Sequence, residues 1–142
     1  MKIKYDLEIM KYMALFEKIT KSKLKDCFFD ENSNRLVFVV EKFQLMKALG
    51  TNSQNVQKLE NLLNKKLKFV QFHDDLNMFV KNWIHPLKAE NIEVDEENNV
   101  VTISSSDIQT KGLLIGKKAQ NLRNSEKVIQ RYFSNLKEIK VI

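Results

Sequence analysis

Ile9, Tyr12, Met13, Phe16 and Ile19 follow one another at steps of three and four, the spacing that places side chains on one face of an α-helix. Residues 6–20 therefore read as an amphipathic helix capped by Asp6, with Lys11, Glu17 and Lys18 facing outward. The rhythm then changes. Residues 24–29 read as a strand closed by the turn cluster Asp30-Glu31-Asn32-Ser33-Asn34. In residues 35–42 the run Leu36, Val37, Phe38, Val39, Val40 is unbroken and rich in β-branched side chains, as in a strand covered on both faces. These two segments make a hairpin. A helix over 43–49, too brief to stand without packing, leads to a turn at Gly50. A second helix over 54–64 carries Val56, Leu59, Leu62 and Leu63 on its apolar side, and residues 65–72 alternate as a strand, Leu67 and Phe69 opposite Lys68, Val70 and Phe72.

The same order then recurs. Asp74 and Asp75 precede a helix carrying Leu76, Phe79, Val80, Trp83 and Ile84, which Pro86 stops. Ile92 and Val94 mark a strand, residues 95–99 an acidic, Asn-rich turn, and residues 100–104 its hairpin partner. A short helix over 107–115 runs into Gly116. A longer one over 120–133 carries Leu122, Val128, Ile129, Tyr132 and Phe133, and a strand over 136–142 ends the chain. The two turns match in detail. Gly50-Thr51-Asn52-Ser53-Gln54-Asn55 and Gly116-Lys117-Lys118-Ala119-Gln120-Asn121 stand 66 positions apart and share Gly, three residues, then Gln-Asn. An internal repeat follows, with domains over 1–73 and 74–142 and almost no linker, which predicts two halves packed as one rigid unit.

Composition agrees with one ordinary domain or two small ones: 142 residues, 43% hydrophobic and 30% charged. No apolar run approaches the roughly 20 residues of a membrane-spanning helix, and the N-terminus lacks a signal peptide's apolar centre. The expected location is the cytoplasm, without membrane association. Cys27 is the only cysteine; it can form no internal disulfide, and its apolar surroundings suit a buried structural thiol. His73 and His85 have no carboxylate or thiol pattern around them, and neither a nucleophile–base pair nor a Walker-type loop is present. The chain is therefore expected to be neither an enzyme nor dependent on a cofactor or metal. Net charge is +6, which suits a polyanionic partner. The excess is uneven: residues 1–73 hold 14 Lys+Arg against 8 Asp+Glu, and residues 74–142 hold 10 of each. The second half must place its cations locally.

A glycine turn between two helices exposes the free N–H groups and positive dipole end of the second helix, where a phosphate can sit. Gly50 and Gly116 are read as such turns, or as simple helix terminators. Lys117 and Lys118 are the best placed cations, while Thr51, Asn52, Ser53 and Ala119 complete the two turns. Lys47, Lys58, Lys111 and Arg123 lie nearby in sequence. Asn55 and Asn121 either donate to backbone or base, or fill the first turn of their helix. Leu49, Val56, Ile115 and Leu122 line a groove or belong to the core. None of the nine Phe residues is assigned to base stacking, because most sit in core periodicity.

The element order and the two loops resemble KH domains, whose Gly-x-x-Gly loop clamps about four nucleotides of a single strand. The segments Phe16-Glu17-Lys18-Ile19-Thr20, Arg35-Leu36-Val37-Phe38-Val39-Val40, Phe79-Val80-Lys81-Asn82 and Lys111-Gly112-Leu113-Leu114-Ile115-Gly116-Lys117 are similar to archaeal NusA-type transcription factors. The resemblance implies an α+β fold of two tandem bacterial-type (type II) KH domains, each helix-strand-strand-helix-turn-helix-strand. It also implies a monomer binding single-stranded, nascent RNA in transcription elongation or termination, with RNA polymerase as a further partner. Two other readings stay open: a degenerate KH module that docks to polymerase, and an RNA binder in ribosome assembly or translation. Both loops depart from the family pattern, since Ser53 and Ala119 stand where it has a second glycine and the first loop has no lysine. The second loop is expected to grip phosphate better.

Overall fold

The structure, a computed structural model, describes residues 3–142; the first two positions of the expected first domain lie outside the described residues. The chain forms α1 (Leu7–Thr20), β1 (Leu24–Asp30), β2 (Arg35–Val40), α2 (Leu45–Leu49), α3 (Gln54–Leu63) and β3 (Leu67–Gln71). It then forms α4 (Leu76–Ile84), β4 (Asn91–Asp95), β5 (Val100–Ser104), α5 (Ile108–Ile115), α6 (Gln120–Gln130) and β6 (Glu138–Val141). Cα proximity separates two compact units that meet at His73 and Asp74. Among the described residues no helix is long and apolar enough to cross a membrane.

The units share one topology. In the first, the sheet order is β1-β2-β3, with β1 antiparallel and β3 parallel to the central β2. In the second it is β4-β5-β6, again one antiparallel and one parallel pair. Sequence accounts for the central strand: Leu36 to Val40 are all buried, as an unbroken apolar run requires. The first core gathers Phe16 of α1, Cys27 of β1, Phe38 of β2 and Leu59 of α3. Its rings pack closely, Phe16 stacking on Phe38 at 4.4 Å and meeting Phe69 edge-on at 5.0 Å. In the second unit Phe79 of α4 meets Tyr132 edge-on at 5.2 Å, and the Trp83 indole N–H donates to Ser125 Oγ of α6 at 3.0 Å.

Local signals set most ends. Asp6, Asp75 and Asp107 each accept a backbone N–H three residues on, from Ile9, Met78 and Thr110, satisfying donors the helix leaves open. Asp30 and Asp95 organise the equivalent hairpin turns by accepting from Asn32 and from Glu97 and Asn98. Glu60 of α3 accepts the N–H of Leu67 at 3.0 Å, and Glu126 of α6 accepts that of Ile139 at 2.8 Å. Leu67 and Ile139 face equivalent positions of the central strands, Leu36 and Val101. Each repeat thus ties its last strand to the helix after the glycine turn by one carboxylate.

Some expectations fail locally. The helix expected over 43–49 begins at Leu45; Phe43 sits in a turn closed by Gln44 N–H to Glu41 O, with φ 66°, and its ring is exposed. Leu62 is 58% exposed rather than on the apolar side. At 100° per residue it lies about 60° to one side of Leu59, while Val56 and Leu63 lie to the other. Of the two aspartates before α4, Asp75 is its cap. Helix α6 stops at Gln130, because Arg131, Tyr132 and Phe133 tighten onto the carbonyls of Val128 and Ile129. Tyr132 and Phe133 still reach Phe79, at 5.2 and 5.9 Å.

One charge is placed against the fold. Burial pulls the Lys68 ammonium on β3 down to about 8, with Arg35 adding repulsion and Asp30 opposing. The folded protein then gives up this proton at lower pH than the unfolded chain does. Between about pH 8 and the ordinary lysine value the unfolded state binds more protons, so this group's contribution to stability rises with pH there. Lys68→Met should raise stability at pH 7 by about 1–3 kcal/mol, and the difference from the wild type should shrink by pH 10. Urea titrations of both proteins at the two pH values check this.

Candidate nucleic-acid interface

The two glycine turns have different side chains and one backbone. Gly50 stands at φ 73°, ψ −177° and Gly116 at φ 75°, ψ 175°. A 3-10 turn follows each, Thr51–Ser53 and Lys117–Ala119. Within them Asn52 (φ 53°, ψ 33°) matches Lys118 (φ 55°, ψ 32°), and Ser53 (φ 56°, ψ 28°) matches Ala119 (φ 61°, ψ 22°). Ser53 and Ala119 thus adopt the left-handed conformation that glycine takes at least cost, at about 1–2 kcal/mol each. Gly50 and Gly116 close α2 and α5 by donating to Met46 O and Gly112 O, at 3.1 and 2.8 Å. The N–H groups of Thr51 and Asn52, and of Lys117 and Lys118, have no acceptor among the described residues. They are the open donors at the head of α3 and α6, where an anion is favoured.

An asparagine locks each turn. Asn55 Nδ2 donates back to Ala48 O at 3.0 Å and Asn121 Nδ2 to Leu113 O at 2.9 Å, tying the second helix to the carbonyl end of the first. The asparagine side chain fills the space a glycine Cβ would need. A Cβ on Gly50 would lie 2.9 Å from Asn55 Nδ2, and one on Gly116 would lie 2.5 Å from Asn121 Cγ. Each glycine is required twice, for its positive φ and for its missing side chain. Asn55 and Asn121 follow the backbone-donating alternative, since each amide spends an N–H inside the fold.

The other residues singled out in the sequence separate into groups. Lys117 and Lys118 are exposed at the tip of the second turn, and Thr51, Asn52 and Ser53 at the tip of the first. Lys47 and Lys58 are exposed on α2 and α3, flanking the first turn. Lys58 borders a polar depression of about 460 Å³ over the first turns of α3, with Gln54, Asn55, Gln57 and Asn61. Lys111 is half-buried beside Glu90. That carboxyl is held below its usual range by hydrogen bonds from Ser106 and, to a lesser degree, by the Lys111 charge. Arg123 gives Nη1 to both carboxylate oxygens of Glu126 at 2.8 Å, and this hydrogen bond pushes its pKa upward. Because Glu126 also holds Ile139, Arg123 completes a structural bridge. Leu122 belongs to the core, while Leu49, Val56 and Ile115 are half-buried. Sequence reading missed Glu60 and Glu126, whose 66-residue separation equals that of the glycines. It also missed Gln57 and Asn61 beside Lys58. A separate cleft of about 770 Å³, bordered by Asp75, Asp95, Glu96, Tyr132 and Phe133, lies at the opposite end of α6 from the turn.

Fold and turns define a two-repeat α+β protein with an anion-ready, glycine-led loop in each repeat. Its sequence is similar to those of NusA-type proteins of archaea. It is 29% identical to the probable transcription termination protein NusA of Thermoplasma acidophilum, over 93% of this chain and 91% of that one. The protein of the same name from Methanocaldococcus jannaschii is 29% identical, over 95% of this chain and 72% of that one. Among solved structures, the crystal structure of APE1850 superposes with a TM-score of 0.75 at 29% identity, over 97% of this chain and 100% of that one. No family model matches the chain.

The double requirement on Gly116 has a measurable signature. Gly116→Ala should cost about 2–3 kcal/mol, combining positive φ with the collision against Asn121. In an Asn121→Ala background the further cost of Gly116→Ala should fall to the ~1 kcal/mol of the backbone term alone. Thermal melts of the four proteins give the coupling, and additive costs would show that the asparagine does not occupy the glycine's space.

Proposed function

We propose that the chain is a tandem type II KH protein that binds single-stranded RNA through its two glycine turns and serves in transcription termination or elongation. The observation that carries this reading is the pair of turns with one backbone and open N–H groups. A polynucleotide repeats its phosphates, and two equivalent anion-ready turns in one chain suit such a ligand. The topology supports the KH reading: a helix and strand precede a β-α-α-β core whose two strands are parallel. The transcription role is supported by the similar archaeal proteins, which carry the name of a transcription termination protein. RNA polymerase is the further partner this role calls for.

The two turns have unequal parts in the proposal. Lys117 and Lys118 add two ammonium groups to the backbone donors of the second turn, making it the stronger phosphate clamp. The first turn offers hydroxyl and amide groups, within a half of the chain that holds the whole net positive charge. It attracts the strand diffusely and the second half positions it.

The test is binding of labelled single-stranded RNA across a range of salt concentrations. Lys117→Gln with Lys118→Gln should weaken binding on the order of tenfold, with little dependence on sequence. The slope of log K against log salt should flatten by about 0.7 for each phosphate no longer neutralised. Unchanged affinity and slope would remove the phosphate-clamp reading. Crosslinking in cell extract that recovered ribosomal RNA alone would count against transcription.

A further inference from the structure

Exposed apolar side chains gather on the helices that lead into the two turns. Phe43 is 86% and Met46 81% exposed at α2, and Ile108 is 84% and Leu113 51% exposed at α5. Only the first repeat puts an aromatic ring there. The ring of Phe43 is held outward by the backbone. Phe43 has φ 66°, a left-handed conformation that a bulky side chain disfavours and that asparagine or glycine would take more cheaply. The turn around it is pinned on both sides. Gln44 N–H donates to Glu41 O at 3.2 Å, Gln44 Oε1 accepts from Lys23 N–H at 3.0 Å, and Leu45 N–H donates to Gln71 Oε1 at 3.2 Å. None of these bonds uses the ring. Folding therefore gains little from phenylalanine here, and the strain it carries is the kind retained where a side chain serves a ligand.

We propose that Phe43 and Met46 form a platform on which one unpaired base of a bound RNA strand stacks, beside the first glycine turn. This rests on the RNA-binding reading above and adds to it a base-stacking site at the turn that lacks lysine. Position supports it. Met46 O accepts the N–H of Gly50 at 3.1 Å, so Met46 opens the last helical turn before the loop, about 6 Å from it along the axis. Charge supports it as well. Lys47 is exposed on the same helix, and the net +6 of the chain lies within residues 1–73. The chemistry of the pair fits a base: an aromatic face stacks on any base without reading its sequence, and a flexible, polarizable thioether adapts to its edge. The occupant is thus a nucleobase whose phosphate lies at Gly50 to Ser53.

The test compares short single-stranded oligoadenylate and oligouridylate with an abasic oligomer of equal length and charge, by fluorescence anisotropy on the full chain. Phe43→Asn suits the left-handed backbone and should fold, as circular dichroism will verify. It should weaken binding of the base-bearing oligomers about five- to tenfold, leaving abasic affinity and salt slope unchanged. Phe43→Trp should restore affinity, and its added fluorescence should be quenched by the base-bearing oligomers only. Equal losses on abasic and base-bearing RNA would overturn the platform, because the effect would then run through loop geometry. Wild-type affinity in Phe43→Asn, with weakened binding in the Lys117→Gln, Lys118→Gln protein, would also overturn it while leaving RNA binding intact. No binding of any oligomer by the wild-type chain would sink the RNA reading itself, and the platform with it.

Discussion

The molecule depends on a glycine and an asparagine five residues apart. A turn between two helices must leave its N–H groups open, yet an open turn has little to hold its shape. The asparagine resolves this by donating back across the turn, Asn55 to Ala48 and Asn121 to Leu113. It can do so only where the residue at the corner has no Cβ. The anchor thus uses the asparagine side chain and leaves the backbone donors of Thr51, Asn52, Lys117 and Lys118 open. Pre-organisation of this kind lets a ligand bind without ordering the loop first.

Around that lock each repeat is a bracket. The helix after the turn is fastened at its far end as well, by Glu60 to Leu67 and by Glu126 to Ile139. Both carboxylates bond to the strand that is parallel to the centre of the sheet. The helix after the turn is therefore held to the preceding helix by its asparagine and to the sheet by its glutamate. In the second repeat Arg123 neutralises the buried carboxylate of Glu126, as burial of a charge demands. An arginine near a basic turn looks like a ligand-binding group in sequence, and in the fold its Nη1 is bonded to Glu126.

At the glycine turns themselves, the repeats differ in side chains and share one backbone. Ser53 and Ala119 hold left-handed angles that glycine would hold with less strain, so the turn's shape outlasts the residue that most easily makes it. On that common backbone the second repeat places two ammonium groups and the first a polar tip with an aromatic ring nearby.

The order of helices and strands was legible because apolar spacing records which face is buried, and the unbroken run at Leu36 to Val40 could only be an interior strand. The matched Gly-x-x-x-Gln-Asn segments disclosed the turns, and Asp6 and the pair Asp74 and Asp75 announced two helix starts, while the cap at Asp107 came from its bond to Thr110. Tertiary structure decided the rest. Leu62 has the right spacing for the core, but a helix of ten residues covers only a narrow stripe, and that stripe fell on Val56, Leu59 and Leu63. Phe43 has the composition of a core residue, and a pinned turn turned it outward. The bonds that Asn121 and Arg123 make within the fold rested on partners eight and three residues away, Leu113 and Glu126, across a turn and along a helix. Sequence determined the two glycine turns because local backbone chemistry makes them. Only the packed structure decided which polar groups remain at their tips, because each candidate's partner was chosen by what lay beside it in space.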